Sequence, residues 1–179
     1  MAQVAFDFGI KHTKYAYSLT SIRRNMFESR FKDVLDDGRN FVSTKTFSSI
    51  LIDDKGQFHS FGLKAEYHFA SLERENELNG FKLFRRFPNT LQIMKHISRK
   101  STIKDVSGKD HEALPIFVMA IQALKKYLMD DIQDRTTNSR EHDIRYVITL
   151  PAIWDVGANQ FMREAAIQVE LSISLSTNK

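Results

Sequence analysis

Cysteine is missing from this chain of 179 residues. Its absence excludes disulfides, thiolate-bound zinc and a cysteine nucleophile. Proline and glycine are sparse, at three and seven residues, and no low-complexity tract or internal repeat interrupts the sequence. No apolar run approaches the roughly 18 residues of a membrane span. The first strand pattern starts within a few residues of Met1, which leaves no room for a secretory signal. The expectation is therefore a cytoplasmic protein, with the nucleus as the alternative. What is present is apolar and aromatic: 42% hydrophobic residues, 14 of them phenylalanine. That composition predicts a packed globular chain, either one domain or two small subdomains. A formal charge of +4 and a pI near 9.3 suit an anionic ligand without requiring one.

The stretch from Val4 to Ser18 organises the rest. Val4, Phe6 and Phe8 alternate with small or polar residues, and Tyr15 and Tyr17 repeat the pattern on the way back, so the stretch predicts two strands around a turn beginning at Gly9. Asp7 ends the first strand. A carboxylate there can face a metal ion or its waters, or it can simply cap its own turn. Gly9 lets the backbone bend close to a ligand, so that turn N–H groups face phosphate oxygens.

Further along, a strand is expected around Met26–Phe31 and a turn at Asp37–Asn40. Ser49–Ile52, the turn Asp53–Gly56 and Gln57–Phe61 form a second hairpin pattern. Gly62–Leu72 reads as a helix with Leu63, Tyr67 and Ala70 on one face, and His59 and His68 read as surface or half-buried residues without ligand spacing. From Lys82 to Lys109 there are eight basic residues, including Lys95, and one acid, Asp105. Phe81, Phe84 and Phe87 lie among them. One reading is a nucleic-acid surface with stacking rings. The favoured one is a short helix turning three phenylalanines inward. Leu114–Asp134 is the clearest amphipathic helix, with Pro115 in its first turn. A polar loop follows to Asp143, then a β-branched strand, Ile144–Leu150, and a second helix, Gly157–Gln168, with Phe161, Ala165 and Gln168 on one face.

The run Arg145–Trp154, with its Pro151-Ala152-Ile153-Trp154, and the following Ala158–Ala166 resemble the heat shock 70 kDa family, most closely its 12A/12B branch. Asp7-Phe8-Gly9, Tyr15–Ser18, Phe58–Gly62 and Phe81-Lys82-Leu83 resemble the same branch. The resemblance covers roughly residues 3–168. It implies an α/β fold, the first lobe of an actin-like ATPase (ribonuclease-H-like) domain. That lobe has a mixed five-stranded sheet flanked by helices, and a small inserted subdomain at roughly 30–110. Residues 169–179 then form a divergent tail, and the lobe is truncated relative to the family. The resemblance also implies ATP and magnesium as ligands. The phosphate-1 hairpin would be Asp7, Gly9, Ile10, Lys11 and Thr13, with Asp7 holding magnesium through water. Lys82 would reach the γ-phosphate as the catalytic lysine.

The hairpin departs from the family pattern. Two threonines are replaced by Ile10 and Lys11, and a Ser-Gly pair by Thr13-Lys14. Ile10 brings no hydroxyl and is stiff in a tight turn; Lys11 either meets phosphate as a point charge or stands in solvent. The sequence therefore reads as the ATP-binding lobe of a chaperone-related ATPase, with nucleotide binding weak or lost and no hydrolysis by the lobe alone. The alternatives are a non-catalytic interaction module using the exposed lobe face, and a nucleic-acid module through Lys82–Lys109.

Overall fold

In the first hairpin, β1 (Ala2–Phe8) and β2 (His12–Leu19) pair antiparallel, with Asp7 opposite Lys14. Strand alternation sends Val4, Phe6, Phe8, Tyr15 and Tyr17 to one face, where all are buried. Ala5, Asp7 and Ala16 point the other way and stay half-buried. The computed structural model of the chain describes residues 2–19, 26–94, 96–135, 144–152, 154–171 and 173–178. Arg23, Arg24, Lys95, Ile153 and the 136–143 part of the polar loop lie outside the described residues.

In chain order the remaining elements are β3 (Met26–Glu28), β4 (Phe31–Val34), β5 (Asn40–Ser43), β6 (Thr46–Phe47), β7 (Ser49–Ile52) and β8 (Phe58–Phe61). There follow α1 (Leu63–Glu75), β9 (Lys82–Arg85), α2 (Pro88–Ile93), β10 (Thr102–Lys104) and β11 (Asp110–Glu112). The chain closes with α3 (Ala113–Arg135), β12 (Ile144–Pro151), α4 (Val156–Gln168) and β13 (Ile173–Asn178). The main sheet runs β13-β12-β1-β2-β3, with the two-residue β6 added beside β2. β12 lies parallel to both β1 and β13, while β2 is antiparallel to β1 and to β3. The five-stranded path is thus mixed, as expected, with helices packed against it.

α3 forms because its apolar residues recur at the helical period. Phe117, Ile121, Leu124 and Leu128 are fully buried, and they share one core with Phe6, Tyr15, Ile148 and the α4 residues Phe161, Met162 and Ala165. A polar link joins the helix to the sheet: the Tyr17 hydroxyl donates to Asp131 Oδ2 at 3.2 Å, and Arg135, one turn along the same helix, donates from Nε to Asp131 Oδ1 at 3.1 Å. Residues 30–110 carry the β4–β5 hairpin, the three-stranded β8-β7-β9 sheet with α1, and the β10–β11 hairpin. Phe31, Ile50, Phe61, Phe84, Phe87 and Ile103 from this stretch enter the main core. Leu51, Ala65, Phe69 and Leu83 make a satellite cluster beneath α1.

Several sequence expectations change here. Phe81–Phe87 does not form a helix. Leu83 and Phe84 lie on strand β9, pointing to the satellite and main cores respectively. A strand alternates faces every residue, so a spacing of three puts Phe81 and Phe84 on different faces; Phe87, beyond the end of β9, joins Phe84 in the main core. The strand expected at Met26–Phe31 breaks at Ser29, whose N–H bonds to Tyr15 O, and continues as β4 in another sheet. α1 buries Ala65 and Phe69, while Ala70 is exposed. α4 buries Phe161 and Ala165 but exposes Gln168. Residues 173–178, expected in a divergent tail, form the edge strand β13. Among the described residues no helix is long and apolar enough to cross a membrane.

Candidate functional site

The turn between β1 and β2 demands glycine at position 9: a Cβ there would collide with the carbonyl oxygen of His12. Three bonds clamp the turn from the side. Ser48 N–H donates to Lys11 O at 3.0 Å, Ser48 Oγ donates to Gly9 O at 2.7 Å, and the Ser48 and Thr13 hydroxyls bond at 2.8 Å. β6 then pairs His12 with Phe47 and Thr13 with Thr46, and the His12 ring stacks on Phe47 with centroids 5.3 Å apart. The segment 46–48 therefore fixes the shape of the turn, a role that the sequence alone did not show.

Beside the turn lies a cavity of about 260 Å³, lined by Lys11, Phe47, Ser49, Glu66, Arg85 and Arg86. Glu66 on α1 accepts from Ser49 Oγ at 2.5 Å and from Arg85 Nε at 2.8 Å, so its charge is spent on Arg85. Lys11, Lys45 and Arg86 have no ion-pair partner among the described residues. The turn therefore gathers cations that neighbouring acids do not neutralise. Burial, then the nearby charges of Lys45, Lys11 and Arg86, hold the His12 pKa below its ordinary value. Arg86 sits at φ 48°, a left-handed conformation uncommon for a residue with a side chain. That conformation ends β9 immediately next to the cavity.

The other residues expected at the site fall in different places. Asp7 is half-buried and does not line the cavity; it accepts from Thr149 Oγ1 at 3.2 Å and pairs with Lys14 Nζ at 3.6 Å. Thr13 is fully buried behind the turn, with its hydroxyl bonded to Ser48, so it braces the hairpin and offers nothing to a ligand. Ile10 is half-buried in the turn. Lys82 lies at the opposite end of β9 from Arg85, paired across to Ile52, and its Nζ donates to Asp53 O at 3.4 Å. Strand geometry separates it from the turn: successive β residues advance about 3.3 Å, and Lys82 and Arg85 are three steps apart on β9. The adjacent Arg85-Arg86 pair was the sequence signal for the cations that do reach the cavity.

Two more cations of the basic run are paired. Arg99 Nε bonds Glu164 at 2.8 Å and Lys104 Nζ bonds Asp110 at 2.8 Å. Phe84 and Phe87 are buried, and Phe81 packs edge-on against the stacked rings of His59 and His68. Rings held in this way cannot stack on bases, which removes the main support for a nucleic-acid surface. Among the described residues no three His, Asp or Glu side chains gather to hold a metal directly.

No protein-family model matches the chain. It is 34% identical over 170 residues to heat shock 70 kDa protein 12A of Homo sapiens, covering 94% of this chain and 25% of that protein. It is 32% identical over 164 residues to the human 12B protein, covering 91% and 24%. The mouse 12A protein is 34% identical over 170 residues. A solved structure of a non-polymerising MamK mutant bound to AMPPNP superposes with a TM-score of 0.49 at 12% identity, covering 98% of this chain and 40% of that one. The chain spans about a quarter of the length of the curated relatives it matches. Through the sequence of that shared quarter, this chain belongs with the 12A/12B branch of the heat shock 70 kDa family.

Proposed function

We propose that these residues form the phosphate-holding wall of a nucleotide site in a chaperone-related, heat-shock-70-like protein. One observation carries the reading: a turn that admits only glycine at position 9 stands beside a cavity bounded by Lys11 and Arg86. Turn amides at close approach and convergent cations are what a phosphate chain requires, because phosphoryl recognition rests on positioning and charge. The ligand is ATP, held by its phosphates. Ile10 and Lys11 supply none of the hydroxyl bonds of the family pattern, each of which contributes about 0.5–1.5 kcal/mol. Phe47, the aromatic in the cavity lining, is already stacked on His12, so the adenosine half makes few contacts here. Binding by this chain is therefore expected near millimolar, about 4 kcal/mol, with no hydrolysis above background, since one wall neither encloses the nucleotide nor excludes water.

The test is calorimetric titration of the purified chain with ATP, alongside an assay of phosphate release. Heats that fit a weak single site, and that are lost in Gly9→Val, support the reading. Heats unchanged in Gly9→Val would place the nucleotide elsewhere.

A further inference from the structure

Magnesium is the partner that the family resemblance assigns to Asp7, and the geometry around Asp7 does not suit it. Asp7 and Lys14 are direct cross-strand partners, and the Lys14 ammonium lies 3.6 Å from the Asp7 carboxylate, whose other oxygen accepts from Thr149. A carboxylate already facing an ammonium group attracts the hydration shell of a dication poorly, and the ammonium repels the dication itself. On the other side of the turn, Lys11 and Arg86 line the cavity, and Lys45 is close enough to depress His12 together with them. The one acid in that lining, Glu66, is engaged by Arg85 and Ser49. Positive charge in this site thus comes from the chain's own side chains.

We infer that the hairpin binds the polyphosphate group without magnesium, with Lys11 and Arg86 in place of the metal's charge and Lys14 barring the metal from Asp7. The inference rests on the phosphate-site reading above and specifies its ligand as the metal-free phosphate chain. Arg86 provides a planar fork that grips two phosphate oxygens, and Lys11 a point charge at the turn. Magnesium bound to a polyphosphate cancels the negative charge that these side chains recognise. Added magnesium should accordingly weaken the complex.

The experiment uses the full chain and inorganic tripolyphosphate, titrated by calorimetry in EDTA and again in excess magnesium chloride at matched ionic strength. The expected result is binding in EDTA that weakens at least threefold in magnesium. Lys11→Ala and Arg86→Ala should each weaken binding in EDTA at least threefold, with unchanged far-ultraviolet circular dichroism. In Lys14→Thr, which keeps a good strand former, the magnesium penalty should shrink or reverse. Binding that appears or tightens at least threefold with magnesium overturns this inference and leaves the phosphate site standing. So does binding in EDTA that neither Lys11→Ala nor Arg86→Ala affects, provided that Gly9→Val abolishes it. Tripolyphosphate that binds under neither condition overturns the phosphate site itself, and this inference with it.

Discussion

Two parts of this chain are rich in lysine and arginine, and they use the charge differently. Within 95–109, two basic residues close together in sequence are answered singly in the fold: Arg99 by Glu164 from α4, and Lys104 by Asp110 across its own hairpin. Around the β1–β2 turn the cations are scattered through the sequence, at 11, 45 and 86, and meet without an acid among them that is not already engaged. Linear charge density pointed to the first region. Convergence selects the second. A cation with a carboxylate at 2.8 Å presents little field to a ligand, whereas unanswered cations around a concave surface reinforce each other.

The largest effect that can sharpen this contrast concerns the phenylalanines between the cations. Phe84→Ala should cost about 3–5 kcal/mol, since a fully buried aromatic leaves a cavity. Phe81→Ala, half-buried against two histidines, should cost clearly less. Urea unfolding of both variants measures this, and equal costs would mean that the two rings are not divided between core and surface as described.

Next in size is the response of phosphate binding to the two cation sets. The double substitution Lys11→Ala/Arg86→Ala should reduce ATP affinity at least tenfold, about 1.4 kcal/mol, while Arg99→Ala/Lys104→Ala should leave it within twofold. A comparable loss in both would return the anion site to the basic run. Lys82→Ala belongs with the second pair: its ammonium is on the Asp53 carbonyl, so affinity should stay within twofold. A tenfold loss there would restore the role that the family resemblance gave it.

The smallest effect is on pH. His12 has its pKa lowered from the ordinary 6.5 by burial and by Lys45, Lys11 and Arg86. Because the folded value is the lower one, the unfolded chain takes up this proton first as pH falls below about 6.5. Stability should fall slightly from there down to the folded value and lose nothing further below it. Phosphate among the same cations offsets their field, so tripolyphosphate should raise the His12 pKa. Proton NMR of the imidazole with and without the anion reads both. An unmoved titration would put the phosphate out of range of His12.

Much of the fold could be read from periodicity, because burial imposes it directly. The alternation at Val4–Phe8 and Ile144–Leu150 and the helical spacing of Phe117, Ile121, Leu124 and Leu128 correspond to β1, β12 and α3 with little change of boundary. Short segments misled where two periods fit the same residues, as at Phe81–Phe87. The tail read as divergent because it leaves the family pattern after Gln168; its alternating Ile173-Ser174-Leu175-Ser176 becomes β13 by pairing with the edge of β12.

At the site the sequence by itself determined two things. The first was the tight turn at Gly9, since only a residue without a Cβ clears the His12 carbonyl. The second was the loss of the hydroxyls at Ile10 and Lys11. The tertiary structure decided the rest. It placed Thr13 behind the turn, coupled Asp7 to Lys14 across the strand pair, and brought Arg86 instead of Lys82 to the cavity. The physical reason is separation along the chain. Turn chemistry is a contest among neighbouring atoms, whereas the field at an anion site sums charges from residues 11, 45 and 86, whose distances are fixed only when β6 clamps the turn and β9 ends beside it.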